Sequence, residues 1–165
     1  MKPLHRGILV AVAQCLLVLS LAGKYAFDRA RLPRAWARAA PYDPSLPIRG
    51  RYVSLGLEAE GPSGASLAGA PAVLSVRDGR LFAEPAAADT GVHIGSIRMN
   101  HWGVGEGWRI LEPVAFFIPD NVPDPSRRQP GEELWVEVSV PRYGLPRPMR
   151  LAVKKDGVLT PLELR

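Results

Sequence analysis

Few residues in this chain have the type and spacing that chemistry needs. Ser66 lies in GASLAG, but a nucleophile elbow of the G-x-S-x-G kind needs its second glycine one position earlier than Gly69, so the strained turn that activates a serine is not encoded. His93 sits in an alternating stretch and His101 beside Trp102. Two histidines without a third anchor do not make a zinc site, and they read as surface or structural residues. Asp120, Asn121 and Asp124 (DNVPD) bring oxygen ligands together, yet the glycine turn and terminal glutamate of an EF-hand loop are absent, which favours a loop whose acids satisfy local backbone donors. Arg49-Gly50-Arg51 has the form of a minor-groove hook without the flanking cations that hold phosphates. A Ser/Lys pair would have to combine Ser45 with Lys154 or Lys155, near opposite ends of the chain. No catalytic, metal or cofactor-binding residue is assigned on this basis, and no cofactor is expected.

The elements that would position such residues fall into two regions. Residues 1–40 carry seven basic side chains against Asp28 alone, whereas the remaining 125 residues hold fourteen basic and fifteen acidic ones. The formal charge of +5 therefore belongs to the N-terminal end. The near-neutral body lacks the clustered cations of a phosphate-binding surface, which argues against nucleic acid as a partner.

Within the basic end, Gly7 to Gly23 is a run of 17 residues without a charge. It is close to the minimum needed to cross a hydrocarbon core of roughly 30 Å, and Lys24, Tyr25 and Phe27 extend it by snorkelling and by seating rings at the interface. A transmembrane helix over 7–27 follows, as an uncleaved signal anchor. Ser20-Leu21-Ala22 also has the small residues of a cleavage site before Gly23, so a secreted soluble β-domain is the alternative. Lys2 and Arg6 favour a cytoplasmic N-terminus, while five basic residues within 15 positions after the run favour the opposite orientation. The expectation adopted is a single pass through a membrane with an extracytoplasmic body. Cys15, the one cysteine, lies inside the run and excludes an intrachain disulfide.

Residues 28–47 read as a linker, first basic (Arg29 to Arg38) and then stiffened by Pro41, Pro44 and Pro47; within it helix can continue up to Leu32, before Pro33, and a second short turn can carry Arg34, Trp36 and Arg38. From residue 48 the period changes to two. Val53, Leu55 and Leu57 alternate with Ser54, Gly56 and Glu58; LWVEVSV (134–140) alternates most cleanly; Asp78-Gly79 and Asp156-Gly157 mark two hairpins; VHIGSIRM (92–99) is a further strand; and Pro113 breaks RILEPVAFFI. The body at 48–165 is thus expected to be a compact antiparallel β-sandwich or barrel-like domain of seven to nine strands.

With this layout in place, the chain resembles the GDYXXLXY family, membrane-anchored bacterial proteins of uncharacterised function. The resemblance rests on Pro41-Tyr42-Asp43-Pro44, on Arg49-Gly50-Arg51-Tyr52 with Leu55, on Phe116-Phe117-Ile118-Pro119-Asp120, and on the final Asp156-Gly157 turn. Where the family carries an acid this chain has Arg51, and where it carries its last tyrosine the chain has Leu57. The motif set is therefore Asp43, Pro44, Arg49, Gly50, Tyr52, Leu55, Phe117, Pro119 and Asp120, read as structural landmarks. The resemblance implies a non-enzymatic interaction or accessory module of a membrane complex, with the lipid bilayer and a multi-pass membrane protein as partners. A signal-peptidase-like hydrolase is the enzymatic alternative.

Overall fold

In the computed structural model of the chain, the described residues are 3–42, 52–62, 71–86, 97–101, 107–119, 121–142 and 144–164. They divide into a helical unit ending at Leu32 and a β unit beginning at Pro33.

The helix α1 runs from Pro3 to Arg31. Proline is tolerated in its first turn, where no intrahelical donor is needed, and Arg29 and Arg31 complement the dipole of the last turn. Its end is set by Pro33, which disfavours helical geometry at Leu32. The amide of Leu32 still donates to the Asp28 carbonyl at 2.9 Å. Gly7–Arg31 is long and apolar enough to cross a membrane, and its most apolar stretch is exposed throughout. Its 25 residues extend about 37 Å at 1.5 Å per residue. Ser20 folds its hydroxyl back onto the Leu17 carbonyl at 2.8 Å, which removes the one polar side chain of that stretch beside Gln14 from competition for partners.

The β unit is mainly antiparallel, as expected, with ten strands among the described residues: β1 Arg34–Pro41, β2 Tyr52–Ala59, β3 Pro71–Arg77, β4 Arg80–Pro85, β5 Ile97–His101, β6 Trp108–Ile110, β7 Val114–Phe117, β8 Glu133–Ser139, β9 Arg147–Lys155 and β10 Val158–Pro161. Their order is β10-β9-β8-β1-β4-β3-β5-β6-β2-β7. The sheet divides at β1. One edge of β1 pairs with β8 from Arg34 to Ala39; the other edge meets β4 at Trp36 and then β2 from Ala39 to Pro41. Among the described residues the two outer strands of the order, β10 and β7, are not paired to each other and the sheet as a whole is not closed, while the β1–β2 pairing links the β4-β3-β5-β6-β2 arm back to β1.

Two expectations change here. The basic linker over 28–47 is not a connector in its described part. Residues 28–31 continue α1 toward Pro33 as read from the sequence, but in place of a short helical turn 34–41 form β1, the strand at which the sheet divides. Arg and Ala are strong helix formers with poor strand propensity, but pairing on both edges overrides that preference. Strand β1 also raises the count to ten. VHIGSIRM is a strand from Ile97 onward; its earlier residues lie outside the described set.

The hairpins form where Asp-Gly marks them. Asp78 and Gly79 have φ of 49° and 72°, and Asp156 and Gly157 have φ of 50° and 82°, the paired positive values of a two-residue turn matched to strand twist. Pro113 interrupts the ladder between β6 and β7, both of which pair with β2. The core is filled by the inward residues of alternating strands: Ala35, Ala37 and Ala39 from β1, Leu55 and Leu57 from β2, and Leu134, Val136 and Val138 from β8.

Candidate functional site

Four of the motif residues are placed. Tyr52 opens β2 opposite Phe117 of β7, and their rings stand 6.1 Å apart at 56°. That tilted contact suits aromatic quadrupoles. Leu55, three residues on, points the other way and is fully buried. Phe117 is 73% exposed, and Pro119 follows it at the surface, where its carbonyl accepts from the Val122 amide at 3.2 Å. The motif therefore divides: Leu55 holds the core, while Tyr52 and Phe117 form an outward aromatic pair. Asp43, Pro44, Arg49, Gly50 and Asp120 lie outside the described residues.

Beside Tyr52, a recess of about 340 Å³ is lined by Tyr42, Ser54, Asp124, Ser126 and Arg127. Asp124 accepts from both the amide (2.9 Å) and the hydroxyl (2.7 Å) of Ser126 through one oxygen. This is the local turn role anticipated for Asp124. His93 lies outside the described residues, and His101 ends β5 opposite Trp108.

The larger concentration of functional side chains is on the outer face of β1, β8 and β9. Register arranges it in rows: Arg34, Ser139 and Arg147; then Trp36, Glu137 and Arg150; then Arg38, Trp135 and Ala152. Glu137 is 7% exposed and accepts from Arg150 Nε at 2.7 Å, with Arg34 at 4.0 Å on its other side. The hydrogen bond that Arg150 donates to Glu137 raises the Arg150 pKa above its ordinary value.

Further along the same face, Trp135 is the floor of a cleft of about 270 Å³. Arg80 lies over its ring at 4.7 Å and Lys154 at 5.1 Å, and its Nε1 donates to Glu133 at 3.0 Å. Arg38 reaches both Glu133 (3.4 Å) and Glu58 (3.7 Å), and Arg80 reaches Glu60 at 3.4 Å. Burial pushes the Glu58 carboxyl above its ordinary value, against the pull of Arg38 and Arg109. Burial likewise lowers the Arg109 pKa, with Glu58 opposing it. The cleft thus combines an indole floor with three cations and three carboxylates. Side chains of this kind can contact charged and aromatic groups, and neither Ser, Cys nor His is among the described lining residues.

Arg109 is positioned by a close approach. It pairs with Glu58 across β2 and β6, and its side chain runs over Gly56, where an added Cβ would stand 3.1 Å from Nε and 3.3 Å from Cζ. Any larger residue at 56 would displace it.

Reading the sequence for motifs misses Trp36, Arg38, Arg80, Glu58 and Glu133. A period-two alternation of Trp36 and Arg38 with alanines was present as a signal, but the partners come from strands far apart in the chain. Comparison with known protein families, with curated proteins and with solved structures found no match to this chain.

Proposed function

We propose that this protein is a single-pass membrane-anchored member of the GDYXXLXY type. Its β-domain acts as a non-enzymatic interaction or accessory module of a bacterial membrane complex, with a multi-pass membrane protein as partner and the domain on the extracytoplasmic side. The observation that carries this reading is α1. A helix whose exposed surface is apolar over a membrane-crossing length is costly in water and stable in lipid. The interaction role draws support from the outer face of β1, β8 and β9, where paired charges surround Trp135 in a cleft suited to binding.

The test is crosslinking in intact membranes followed by purification of the full chain. A reproducible multi-pass partner is the expected result, and its loss on Trp36→Ala or Arg38→Ala would place contact at the cleft. Labelling of the purified protein by a serine-directed covalent probe would overturn the non-enzymatic reading. A mature chain beginning at Gly23 would overturn the anchor, and a C-terminal reporter active only in the cytoplasm would overturn the orientation.

A further inference from the structure

We propose that the β8–β9 end of the β-domain is a docking surface for the headgroups of anionic phospholipids in the bilayer that holds α1; the inference rests on the anchored reading above. Four arginines gather at this end. Arg34 and Arg147 share a row with Ser139, Arg150 occupies the next row, and Arg142 lies in the loop that joins β8 to β9. The side chains of Arg34 and Arg150 are 45% and 58% exposed, and Arg142 and Arg147 are exposed as well. Glu137 lies between Arg34 and Arg150 and contacts both. The same loop presents Leu145, 37% exposed, between Arg142 and Arg147. An apolar side chain flanked by arginines is the composition that seats in a headgroup layer.

Chain continuity identifies the surface. The amide of Val140, where this loop begins, donates to the carbonyl of Pro33 at 2.9 Å. Pro33 is the second residue after the last residue of α1, and two residues reach no further than about 7 Å. The loop is therefore bonded to a residue that follows the helix by only two positions along the chain. When α1 spans a bilayer, the nearest dense array of anions is the lipid headgroup layer. The opposite end of β9 carries the Asp156-Gly157 turn, nine residues from Arg147 and roughly 30 Å away along the strand.

The experiment uses the full chain in vesicles, with Cys15→Ser and a single fluorophore at Leu145→Cys or, as control, at Asp156→Cys. Quenching by headgroup-nitroxide lipid is read in phosphatidylcholine vesicles and in vesicles containing about a quarter phosphatidylglycerol. Quenching at 145 should exceed that at 156 and should rise with phosphatidylglycerol. The pair Arg142→Gln and Arg147→Gln should lower the ratio of docked to undocked domain about 30-fold, roughly fivefold for each arginine. Equal quenching at the two positions, or quenching at 145 that ignores both lipid charge and the arginine variants, would overturn the docking surface while leaving the anchor intact. Failure of the chain to float with vesicles after alkaline extraction would overturn the anchor, and the docking surface with it.

Discussion

Replacing Gly56 by alanine tests the geometry of β2 most directly. Gly56 lies in the middle of the strand opposite Ala40 without a left-handed backbone, so alanine is not excluded by conformation. Reduced freedom of the unfolded chain would by itself stabilise the variant by roughly 0.4–1 kcal/mol. Against this, the new methyl would stand 3.1 Å from Arg109 Nε, inside ordinary contact distance, and Arg109 is tied to Glu58 on the facing strand. Overpacking of that kind costs about 1–3 kcal/mol, so the net expectation is a loss of about 1–2 kcal/mol. For a unit running from Pro33 to Arg165, the unfolding entropy is about 0.28 kcal/mol/K, which converts the loss into a fall in Tm of about 4–7 °C. The assay is thermal unfolding of the full chain in detergent, followed by tryptophan fluorescence. In an Arg109→Ala background the same glycine substitution should be neutral or stabilising, giving a coupling of about 1–3 kcal/mol between the two positions. An equal loss in both backgrounds, or a rise in Tm in the wild-type background, would refute the argument.

The other expectations concern separate parts of the molecule. Leu55→Ala should cost about 3–5 kcal/mol by opening a cavity in the core, whereas Phe117→Ala should cost no more than about 1.5 kcal/mol, the scale of one aromatic pair; urea unfolding of the two variants separates a core role from a surface role within one motif. The Glu58 carboxyl, held above its ordinary pKa by burial, binds its proton more tightly in the folded state than in the unfolded one. Its contribution to stability is therefore fully present below the unfolded pKa and is lost as pH rises through the folded one. Glu58→Gln should accordingly raise Tm relative to wild type by more at neutral than at acidic pH; a Tm–pH series in which the difference is absent or reversed sinks this account. Gly157→Ala should cost about 1–2 kcal/mol because position 157 has φ of 82°, and the loss should appear in thermal unfolding.

How far the fold can be read from the letters depends on where each residue's partners lie. Strand β8 is legible because Leu134, Val136 and Val138 alternate with residues that face outward, and both hairpins are legible because Asp-Gly selects their turns locally. Strand β1 is not, since its alanines are weak markers of burial and its arginines favour helix. Only contact with Leu134 on one side and Leu57 on the other makes Ala39 a core residue. The same holds for the cleft. Arg38 meets Glu58 and Glu133 because β2 and β8 flank β1, and nothing local to any of these residues announces it. Likewise Tyr52 and Phe117 belong to separate pieces of the family resemblance, and the β2–β7 register is what brings their rings together.

The position of β1 also governs when the domain can fold. Arg34 is among the first residues of the β unit to be synthesised, yet its ladder partner is Ser139, more than a hundred positions later. At about 5–20 residues per second, the ribosome leaves β1 without that neighbour for several seconds or more. Closing so long a loop adds to the entropic barrier and places the domain among slow, non-local folders. Whichever side of a membrane receives the chain, the β8 half must arrive there before β1 gains its longest pairing. A chain cut before residue 133 would present β1 as an open edge, and its fate would be aggregation or proteolysis rather than partial function.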